Sequence, residues 1–389
     1  MTDGTTAQVL DLLAERIGGT DVFDLAIEAS AGTGKTYSLT ALFARLVAEN
    51  EAATVDRILV ETFARNAAAA LRARIREQLT EVLSEMLEPK GDQSKFPCQL
   101  TRRVATFAGD AQCRVEAALA SLDTANIMTI DSFCAQVLRL GGVVVKPEGA
   151  GQEHAARVSR AVNDEALRAA KLIDKKRYQQ VLTALLRRSM AEPRFESTLV
   201  PLPGSAEKEV LDRLERLTNA VQAMSDESVD FDEAKRRAAE LLSSGGAVLE
   251  ALARQLRFVF IDEAQDTDWK QWELFDVLWQ AIKTSAVKSG EGAARVFVGD
   301  PKQSIYGFRG ADVAAYVHQI EKTKSAGKSR VLGTNYRSDP ALLEVLNDLL
   351  AGTSYGPSAA YESVVPGSAG KQLLGSDDAA TPVTLVECD

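Results

Sequence analysis

The sequence predicts an α/β fold in which a parallel β-sheet with flanking helices is interrupted by an inserted α-helical segment. Short apolar runs that end in polar residues occur at 57–63, 257–264 and 294–300, which is typical of strands buried in a parallel sheet. Helical patterns alternate with these runs, as expected for strand–helix–strand units. Between about 141 and 255 the strand signal disappears and helices with polar faces predominate, so we predict that this segment is inserted into the α/β domain.

The first strand is expected just before a loop of small residues, EASAGTGKT at 28–36, which is followed by an amphipathic helix. Gly32 and Gly34 allow backbone conformations that a Cβ would forbid, so successive N–H groups can face an anion at the positive end of the helix. In this arrangement Lys35 reaches the outer phosphates of a nucleotide and the Thr36 hydroxyl ligates Mg²⁺. We expect Lys35 to be solvated, because it belongs to a loop.

The match to the phosphate-loop pattern is partial, because the strict pattern has glycine where this chain has Ala29. A plain Gly-Lys-Thr turn is therefore the alternative. The flanking strand and helix are the context that the motif requires, and they favour a nucleotide site. The predicted nucleotide-binding residues of this loop are Ala29, Ser30, Ala31, Gly32, Thr33, Gly34, Lys35 and Thr36.

Length and composition bound the class of protein. At 389 residues the chain is long enough for two or three domains, each with its own core. No uninterrupted apolar run approaches the length of a membrane span, and the N-terminus lacks the layout of a signal peptide, so no membrane association is expected. The four cysteines show no C-x-x-C spacing, which argues against a zinc site or a disulfide framework. We therefore predict a protein of the reducing cytoplasm.

The net charge of −10 argues against a nucleic-acid partner, because phosphate contacts need Lys and Arg. The charge is unevenly distributed, however. Residues 154–194, here called the basic segment, contain ten basic and four acidic side chains, a net charge of +6. The basic segment is a candidate contact for DNA, and a solvated helix face is the alternative meaning of such a run.

Polar side chains follow the predicted strands at the position where ligands bind in an open parallel sheet, beyond the carboxyl ends. Asp262 and Glu263 come at the end of the second apolar run. Asp262 is placed to hold Mg²⁺ through water, and Glu263 to orient or deprotonate the attacking water. The alternative is an acidic helix N-terminus, where carboxylates interact favourably with the helix dipole.

The third run continues into VGDPKQSIYGFRGAD at 298–312. Gln303 is placed to sense a terminal phosphate by hydrogen bonding. Tyr306, Phe308 and Arg309 form an aromatic and basic cluster that suits stacking on bases and pairing with a phosphate. Tyr306 and Phe308 are alternatively core residues, but the neighbouring glycines favour an exposed loop.

Tyr336 and Arg337 stand side by side in NYRS at 335–338. An arginine that meets the γ-phosphate supplies charge to the transition state of phosphoryl transfer. The pair is alternatively a surface tyrosine and a salt-bridged arginine.

Six motifs occur in one order along the chain: EASAGTGKT (28–36), ILVETFARNAAAALRARI (58–75), TIDSFC (129–134), FIDEAQDTD (260–268), VGDPKQSIYGFRGAD (298–312) and NYRS (335–338). In these motifs the chain resembles the N-terminal, ATP-binding part of the superfamily 1 DNA helicases of the UvrD/Rep type, and most of all the helicase–nuclease motor subunits RecB and AddA. The resemblance implies a RecA-like P-loop NTPase domain with a parallel sheet, interrupted by an inserted α-helical subdomain that contacts DNA. The implied parts are 1–140 and 256–352 for the RecA-like ATP-binding domain, 141–255 for the inserted subdomain, and 353–389 for a linker and the first strand of a second RecA-like domain.

The resemblance also implies a role for each matching residue. The implied catalytic residues are Glu263, Gln303 and Arg337, with Arg337 as an arginine finger in cis. Tyr336 packs on adenine, and Thr36 and Asp262 hold the metal. The implied single-strand track consists of Thr62, Phe63, Tyr306, Phe308 and Arg309. The chain departs from the family pattern at Ala70, where an acid is usual, and at Asp131, where histidine is frequent, and Gln8 is a candidate for the glutamine that reads adenine.

The implied function is that of an ATP-dependent 3′-to-5′ DNA helicase or translocase in recombinational DNA repair, with ATP and Mg²⁺ as cofactors. Its expected partners are single-stranded and tailed duplex DNA, together with RecC/RecD-like or AddB-like subunits. Full activity is expected to need the second RecA-like domain, whose opening strand the C-terminal TPVTLVECD resembles. The alternative is an ATP- and DNA-binding module, or a truncated remnant, without autonomous helicase activity. An unrelated P-loop kinase or GTPase does not explain the QSIYGFRGAD stretch.

Overall fold

The computed structural model describes residues 21–87, 110–143, 231–307, 311–326, 328–354 and 360–367. The chain divides into two compact units, which we describe one at a time. The larger unit takes its described residues from 1–129, 251–267 and 279–389, and the smaller from 130–250 and 268–278. Several features of the sequence lie outside the described residues: Gln8, the basic segment, Phe308, Arg309 and the C-terminal TPVTLVECD.

A six-stranded, all-parallel sheet forms the centre of the larger unit. Its strands are β1 (Val22–Ala29), β2 (Ile58–Glu61), β3 (Asn126–Met128), β4 (Phe258–Ile261), β5 (Ala293–Gly299) and β6 (Ser329–Leu332). Their order across the sheet is β3-β2-β4-β5-β1-β6. The parallel sheet confirms the predicted α/β fold class. A separate parallel pair is formed by β7 (Thr334–Asn335) and β8 (Val365–Pro366).

The strand order decides which loops lie next to one another. Strand β5 lies between β4 and β1 and pairs with β1 from Val22 opposite Ala293 to Glu28 opposite Gly299. All seven residues of β5 are buried, as are all four of β4, because helices cover both faces of a parallel sheet. The carboxyl ends of β4, β5 and β1 therefore lie side by side, at the edge where ligands bind in folds of this kind.

Nine helices complete the described residues. Those of the larger unit are α1 (Lys35–Glu49), α2 (Arg65–Leu87), α3 (Asp110–Ser121), α8 (Val313–Ser325) and α9 (Pro340–Leu350). The smaller unit contains α4 (Ile130–Leu140) and α5 (Phe231–Ser243), while α6 (Ala247–Gln255) and α7 (Trp269–Ser289) have residues in both units. None of the helices in this described part of the chain is long and apolar enough to cross a membrane.

Helix α1 packs its apolar side chains into the core of the larger unit. Leu39, Leu42, Phe43 and Leu46 are buried there, in the cluster that also contains the apolar residues of β1, β2 and β4. Fully burying a Leu or Phe side chain stabilises a fold by about 1.5–3 kcal/mol, so this face of α1 holds the start of the helix firmly against the sheet. The phosphate loop before α1 is therefore anchored on both sides, by β1 and by α1.

A partly buried ion pair, with a buried arginine and a half-buried aspartate, links two neighbouring strands of the same sheet. Nε of Arg295, in β5, lies 2.7 Å from Oδ1 of Asp24, in β1. The indole N–H of Trp279 donates to the other oxygen of this carboxylate at 2.9 Å. Because both carboxylate oxygens are hydrogen-bonded, the charges are compensated inside the protein.

The smaller unit is helical in the residues that the structure describes. Helices α4 and α5 pack against each other, and Phe133 and Val137 of α4 are buried. Asp131, at the start of α4, has its Oδ1 3.6 Å from Nζ of Lys235 on α5. The carboxylate of Asp131 is thus paired with a lysine of its own unit.

Candidate functional site

The loop between β1 and α1 has the geometry of an anion-binding turn. Gly32 and Gly34 have φ angles of +77° and +88°, in the left-handed region that side chains disfavour. The carbonyl of Ser30 accepts both the N–H and the hydroxyl of Thr33, at 3.3 and 2.8 Å, which closes the turn. Gly34 precedes Lys35 at the N-terminus of α1, and no side chain caps that end of the helix. The N–H groups of the first turn are therefore available to a phosphate.

Asn335 joins this loop to the segment that carries the NYRS motif. Its Nδ2 donates to the carbonyl of Ala31 at 3.0 Å, and the N–H of Tyr336 donates to the carbonyl of Gly32 at 2.9 Å. The Oδ1 of Asn335 accepts the N–H of Arg337 at 2.8 Å. These bonds place Tyr336 and Arg337, both exposed, beside the phosphate loop. Asn335 has no role predicted from the sequence, although it is the first residue of the quoted motif.

Lys35 makes two contacts with residues that follow other strands. Its Nζ lies 2.8 Å from Oε1 of Gln303 and 3.4 Å from Oε2 of Glu263. The expectation that Lys35 is solvated was wrong, because its side chain is only 9% exposed. It is buried since the segments after β4 and β5 lie over it, with Glu263 compensating its charge. Thr36, the next residue, is half-buried on the first turn of α1.

Asp262 and Glu263 follow β4 directly and differ in environment. Asp262 is buried, and its Oδ1 accepts the N–H of Glu263 at 3.0 Å. Glu263 has φ +49° and is the one residue other than glycine with a positive φ in the described residues. A left-handed conformation costs an L-residue roughly 1–2 kcal/mol, and such strain is concentrated at functional sites. Only a three-residue 3₁₀ turn, Ala264–Asp266, follows, so these acids do not begin an α-helix.

Two carboxylates of this segment, those of Asp262 and Asp266, are in surroundings that disfavour their charged forms. Burial, and after it the charge of the neighbouring Glu263, raises the pKa of Asp262 to about 6, although Lys35 opposes the shift. Burial and Glu263 likewise raise the pKa of Asp266 to about 7. Since the charged forms of both groups are destabilised, an added cation is favoured at this place. The hard oxygen donors of Asp262 and Thr36 suit Mg²⁺.

Two residues without a predicted role, Asp300 and Gln265, form hydrogen bonds with the residues that contact Lys35. Nε2 of Gln303 donates to Oδ2 of Asp300 at 2.6 Å, and Asp300 follows β5 directly. The side chain of Gln265 donates from Nε2 to Oε2 of Glu263 at 2.8 Å and accepts the N–H of Asp300 at 2.9 Å. Gln265 and Asp300 stand inside the quoted motifs, but their contacts depend on the neighbouring position of β4 and β5.

The aromatic residues predicted to contact DNA lie partly within the described structure. The rings of Phe63 and Tyr306 are stacked, with centroids 4.6 Å apart and planes inclined by 24°, and both residues are half-buried. Thr62 is fully buried, and its N–H donates to the carbonyl of Met128 at 3.1 Å. Its hydroxyl has no hydrogen-bond partner in the described part of the chain. Phe308 and Arg309 lie outside the described residues.

The sequence comparisons agree with this arrangement. Residues 22–324 match the family described as the UvrD/REP helicase N-terminal domain. The chain belongs to the UvrD/Rep helicase family. Within the UvrD/Rep helicases it is RecB-like, as the resemblance in the six motifs predicted.

Curated relatives of this chain include several proteins named RecBCD enzyme subunit RecB. That of Mycobacterium tuberculosis is 31% identical over 353 residues, which are 85% of this chain and 30% of the relative. That of Mycolicibacterium smegmatis is 31% identical over 369 residues, covering 90% of this chain and 32% of the relative. The Escherichia coli protein is 25% identical over an alignment of 478 residues, which covers 89% of this chain and 39% of the relative. The chain thus spans about a third of the length of the curated relatives that it matches.

Proposed function

We propose that this chain is the ATP-binding half of an ATP-dependent 3′-to-5′ DNA helicase or translocase of the RecB/AddA type, which acts in recombinational DNA repair in the cytoplasm. The observation that carries the proposal is the convergence of Lys35, Glu263 and Gln303 beside a phosphate loop at the carboxyl edge of the sheet. Membership of the UvrD/Rep family supports it. The direction of movement is proposed from the family resemblance alone.

The phosphates of ATP would bind over the N–H groups between Gly32 and Thr36, where Lys35 meets the outer phosphates. Lys35 would then exchange its contacts with Glu263 and Gln303 for phosphate oxygens. Thr36 and Asp262 would hold Mg²⁺, which neutralises charge on the transferred phosphoryl group.

The neighbouring side chains would each have a separate role in ATP binding and hydrolysis. Glu263 would orient or deprotonate the attacking water, and Gln303 would sense the γ-phosphate through the amide that now contacts Lys35. Arg337 would supply positive charge to the transition state, and Tyr336 would pack on adenine. Both lie on the segment that Asn335 ties to the phosphate loop.

Single-stranded DNA would be held by Phe63 and Tyr306, with Phe308 and Arg309 completing the track and Thr62 supporting it from the buried side. The segment 141–255 would add DNA contacts as an inserted subdomain, between RecA-like parts at 1–140 and 256–352. We propose tailed duplex DNA as the substrate of the whole enzyme. RecC/RecD-like or AddB-like subunits are the proposed protein partners, because the relatives are named as subunits of the RecBCD enzyme.

The test is hydrolysis of Mg·ATP by the purified 389-residue chain, with and without oligodeoxythymidylate. We expect slow hydrolysis that DNA stimulates and that Lys35→Ala abolishes, and no unwinding of a duplex with a 3′ tail by this chain alone. Equal and measurable rates for Lys35→Ala and the parent chain would contradict the site. Binding of ATP and DNA without any hydrolysis would favour the binding module instead.

A further inference from the structure

We propose that Gln265 is a positioning residue for Glu263, and that it links the carboxylate of this glutamate to the segment after β5 that carries Gln303. The inference rests on the proposed function, because it assigns a task to a residue behind the reacting groups. Among the described residues, Gln265 makes no hydrogen bond to a position that we assign to nucleotide or metal. It acts through Glu263.

The amide of Gln265 is held at both of its ends. Its Nε2 donates to Oε2 of Glu263 at 2.8 Å, and its Oε1 accepts the N–H of Asp300 at 2.9 Å. The side chain is 2% exposed, so water does not replace either bond readily. Because the donor and the acceptor belong to one planar amide, a rotation that breaks one of these bonds breaks the other.

The backbone around Gln265 leaves little freedom for another arrangement. A Cβ at Gly299 would come within 2.8 Å of Oε1 of Gln265, so the absence of a side chain there lets the amide reach Asp300. The hydroxyl of Ser304 donates to the carbonyl of Gln265 at 3.3 Å. Gln265 is therefore fixed to the β5 side of the site by its side chain and by its main chain.

The contacts of Gln265 close a ring of five residues. Glu263 is bonded to Gln265, Gln265 to Asp300, Asp300 to Gln303, Gln303 to Lys35, and Lys35 is paired with Glu263. A phosphate that binds Lys35 opens the ring at Lys35 only. The bonded path from Gln303 through Asp300 and Gln265 to Glu263 remains, and it carries a displacement of Gln303 to the glutamate.

Glu263 needs this support more than an ordinary residue does. Its backbone is in the left-handed conformation, with φ +49°, and its side chain is about one-third exposed. The hydrogen bond from Gln265 and the ion pair with Lys35 meet the same oxygen, Oε2. When Lys35 binds phosphate, its ion pair with Glu263 is lost. The hydrogen bond from Gln265 then remains to orient the carboxylate.

The experiment compares Gln265→Met with Gln78→Met in the 389-residue chain. Gln78 is also a buried glutamine of the larger unit, but it lies on α2 and its Oε1 has no hydrogen-bond partner in the described residues. We measure single-turnover hydrolysis at saturating Mg·ATP with and without oligodeoxythymidylate, and the Kd of Mg·ATP with a fluorescent analogue. Gln265→Met should reduce the rate roughly tenfold or more and bring DNA stimulation close to onefold, with Kd changed less than about twofold. Gln78→Met should leave all three quantities unchanged.

A second variant separates the two bonds. Gln265→Glu keeps an oxygen acceptor for the N–H of Asp300 and, while both carboxylates are charged, replaces the donor to Glu263 by a group that repels it, so we expect a loss of rate at least as large as in Gln265→Met. A rate of Gln265→Met equal to that of the parent, or a loss matched by an equal rise in Kd, would overturn the proposal.

A readout that does not depend on hydrolysis separates this proposal from the proposed function. In a thermal double-mutant cycle of Gln265→Met and Glu263→Ala, the two losses of Tm should be non-additive by about 2 °C or more, since the pair is in direct contact. Additive losses would show that Gln265 does not hold Glu263. If the parent chain hydrolyses no ATP, the proposed function fails, and the cycle alone decides whether Gln265 positions Glu263.

Discussion

The ammonium of Lys35 lies 3.4 Å from Oε2 of Glu263, and it pairs the residue expected to bind phosphate with the residue expected to activate water. In this arrangement the two side chains compensate each other's charge. A γ-phosphate that binds Lys35 competes with Glu263 for the same cation. If Lys35 binds phosphate as proposed, we expect nucleotide binding to release the glutamate.

This competition predicts opposite effects of two substitutions on nucleotide affinity. Glu263→Gln removes a carboxylate that competes for Lys35 and repels phosphate, so Mg·ATP should bind several-fold more tightly, while single-turnover hydrolysis falls about 100-fold or more. Lys35→Ala should lose both binding and hydrolysis. Titration with a fluorescent nucleotide and a phosphate-release assay measure the two quantities. Weaker binding by Glu263→Gln would show that the ion pair supports the nucleotide site instead of competing with it.

Substitution of the two glycines with positive φ in the phosphate loop should reduce stability by different amounts. Gly34→Ala introduces backbone strain alone, because a Cβ there meets no atom closer than 3.9 Å, and should cost about 1–2 kcal/mol. Gly32→Ala adds a contact of 2.7–2.9 Å with the side chain of Asn335, so it should destabilise the chain more and release the NYRS segment. Chemical denaturation measures the difference. Equal losses would mean that Asn335 moves aside without cost.

The ionisation of Glu291 should make the stability of the folded chain depend on pH. The hydrogen bond from Arg57, assisted by Arg257 and Ser289, lowers the pKa of Glu291 to about 2 from an ordinary value of 4.5. A depressed pKa means that the folded state binds this proton less readily than the unfolded state. The stabilisation is therefore complete above pH 4.5 and is lost as the pH falls towards 2.

The matching experiment is thermal unfolding of Glu291→Gln between pH 2 and pH 7. The variant should melt at a lower temperature than the parent at pH 7, and the difference should shrink as the pH falls from 4.5 to 2. Glu321→Gln, at an exposed position of α8, is the control and should follow the parent throughout. A gap between Glu291→Gln and the parent that is constant with pH would exclude ionisation as its cause.

We expect a base of single-stranded DNA to stack at the rings of Phe63 and Tyr306. Phe63→Ala should weaken binding of single-stranded DNA by about 1–3 kcal/mol, the usual contribution of one stacked base. Phe63→Tyr retains an aromatic face and should retain most of the affinity. Fluorescence anisotropy with labelled oligodeoxythymidylate gives both values. A lower melting temperature with unaltered DNA affinity would make Phe63 a packing residue of the core.

The patterns within short stretches were enough to predict much of this fold. Runs of apolar residues predicted β2, β4 and β5, and the small residues at 28–36 predicted the loop that the structure places after β1. The predicted apolar face of α1 is buried. These features depend on the length and spacing of apolar runs and on the backbone freedom of glycine, which are properties of the local sequence.

Contacts between distant residues were decided by the tertiary structure. Lys35 and Gln303 are 268 positions apart, and their bond exists because β5 lies directly between β4 and β1. The same strand order buries Lys35, which we expected to be solvated, and brings Gln265 to Asp300. Strand order depends on packing across the whole sheet, so no local pattern encodes it. The sequence by itself determined which residues stand at the ends of the strands, and the fold decided which of them touch.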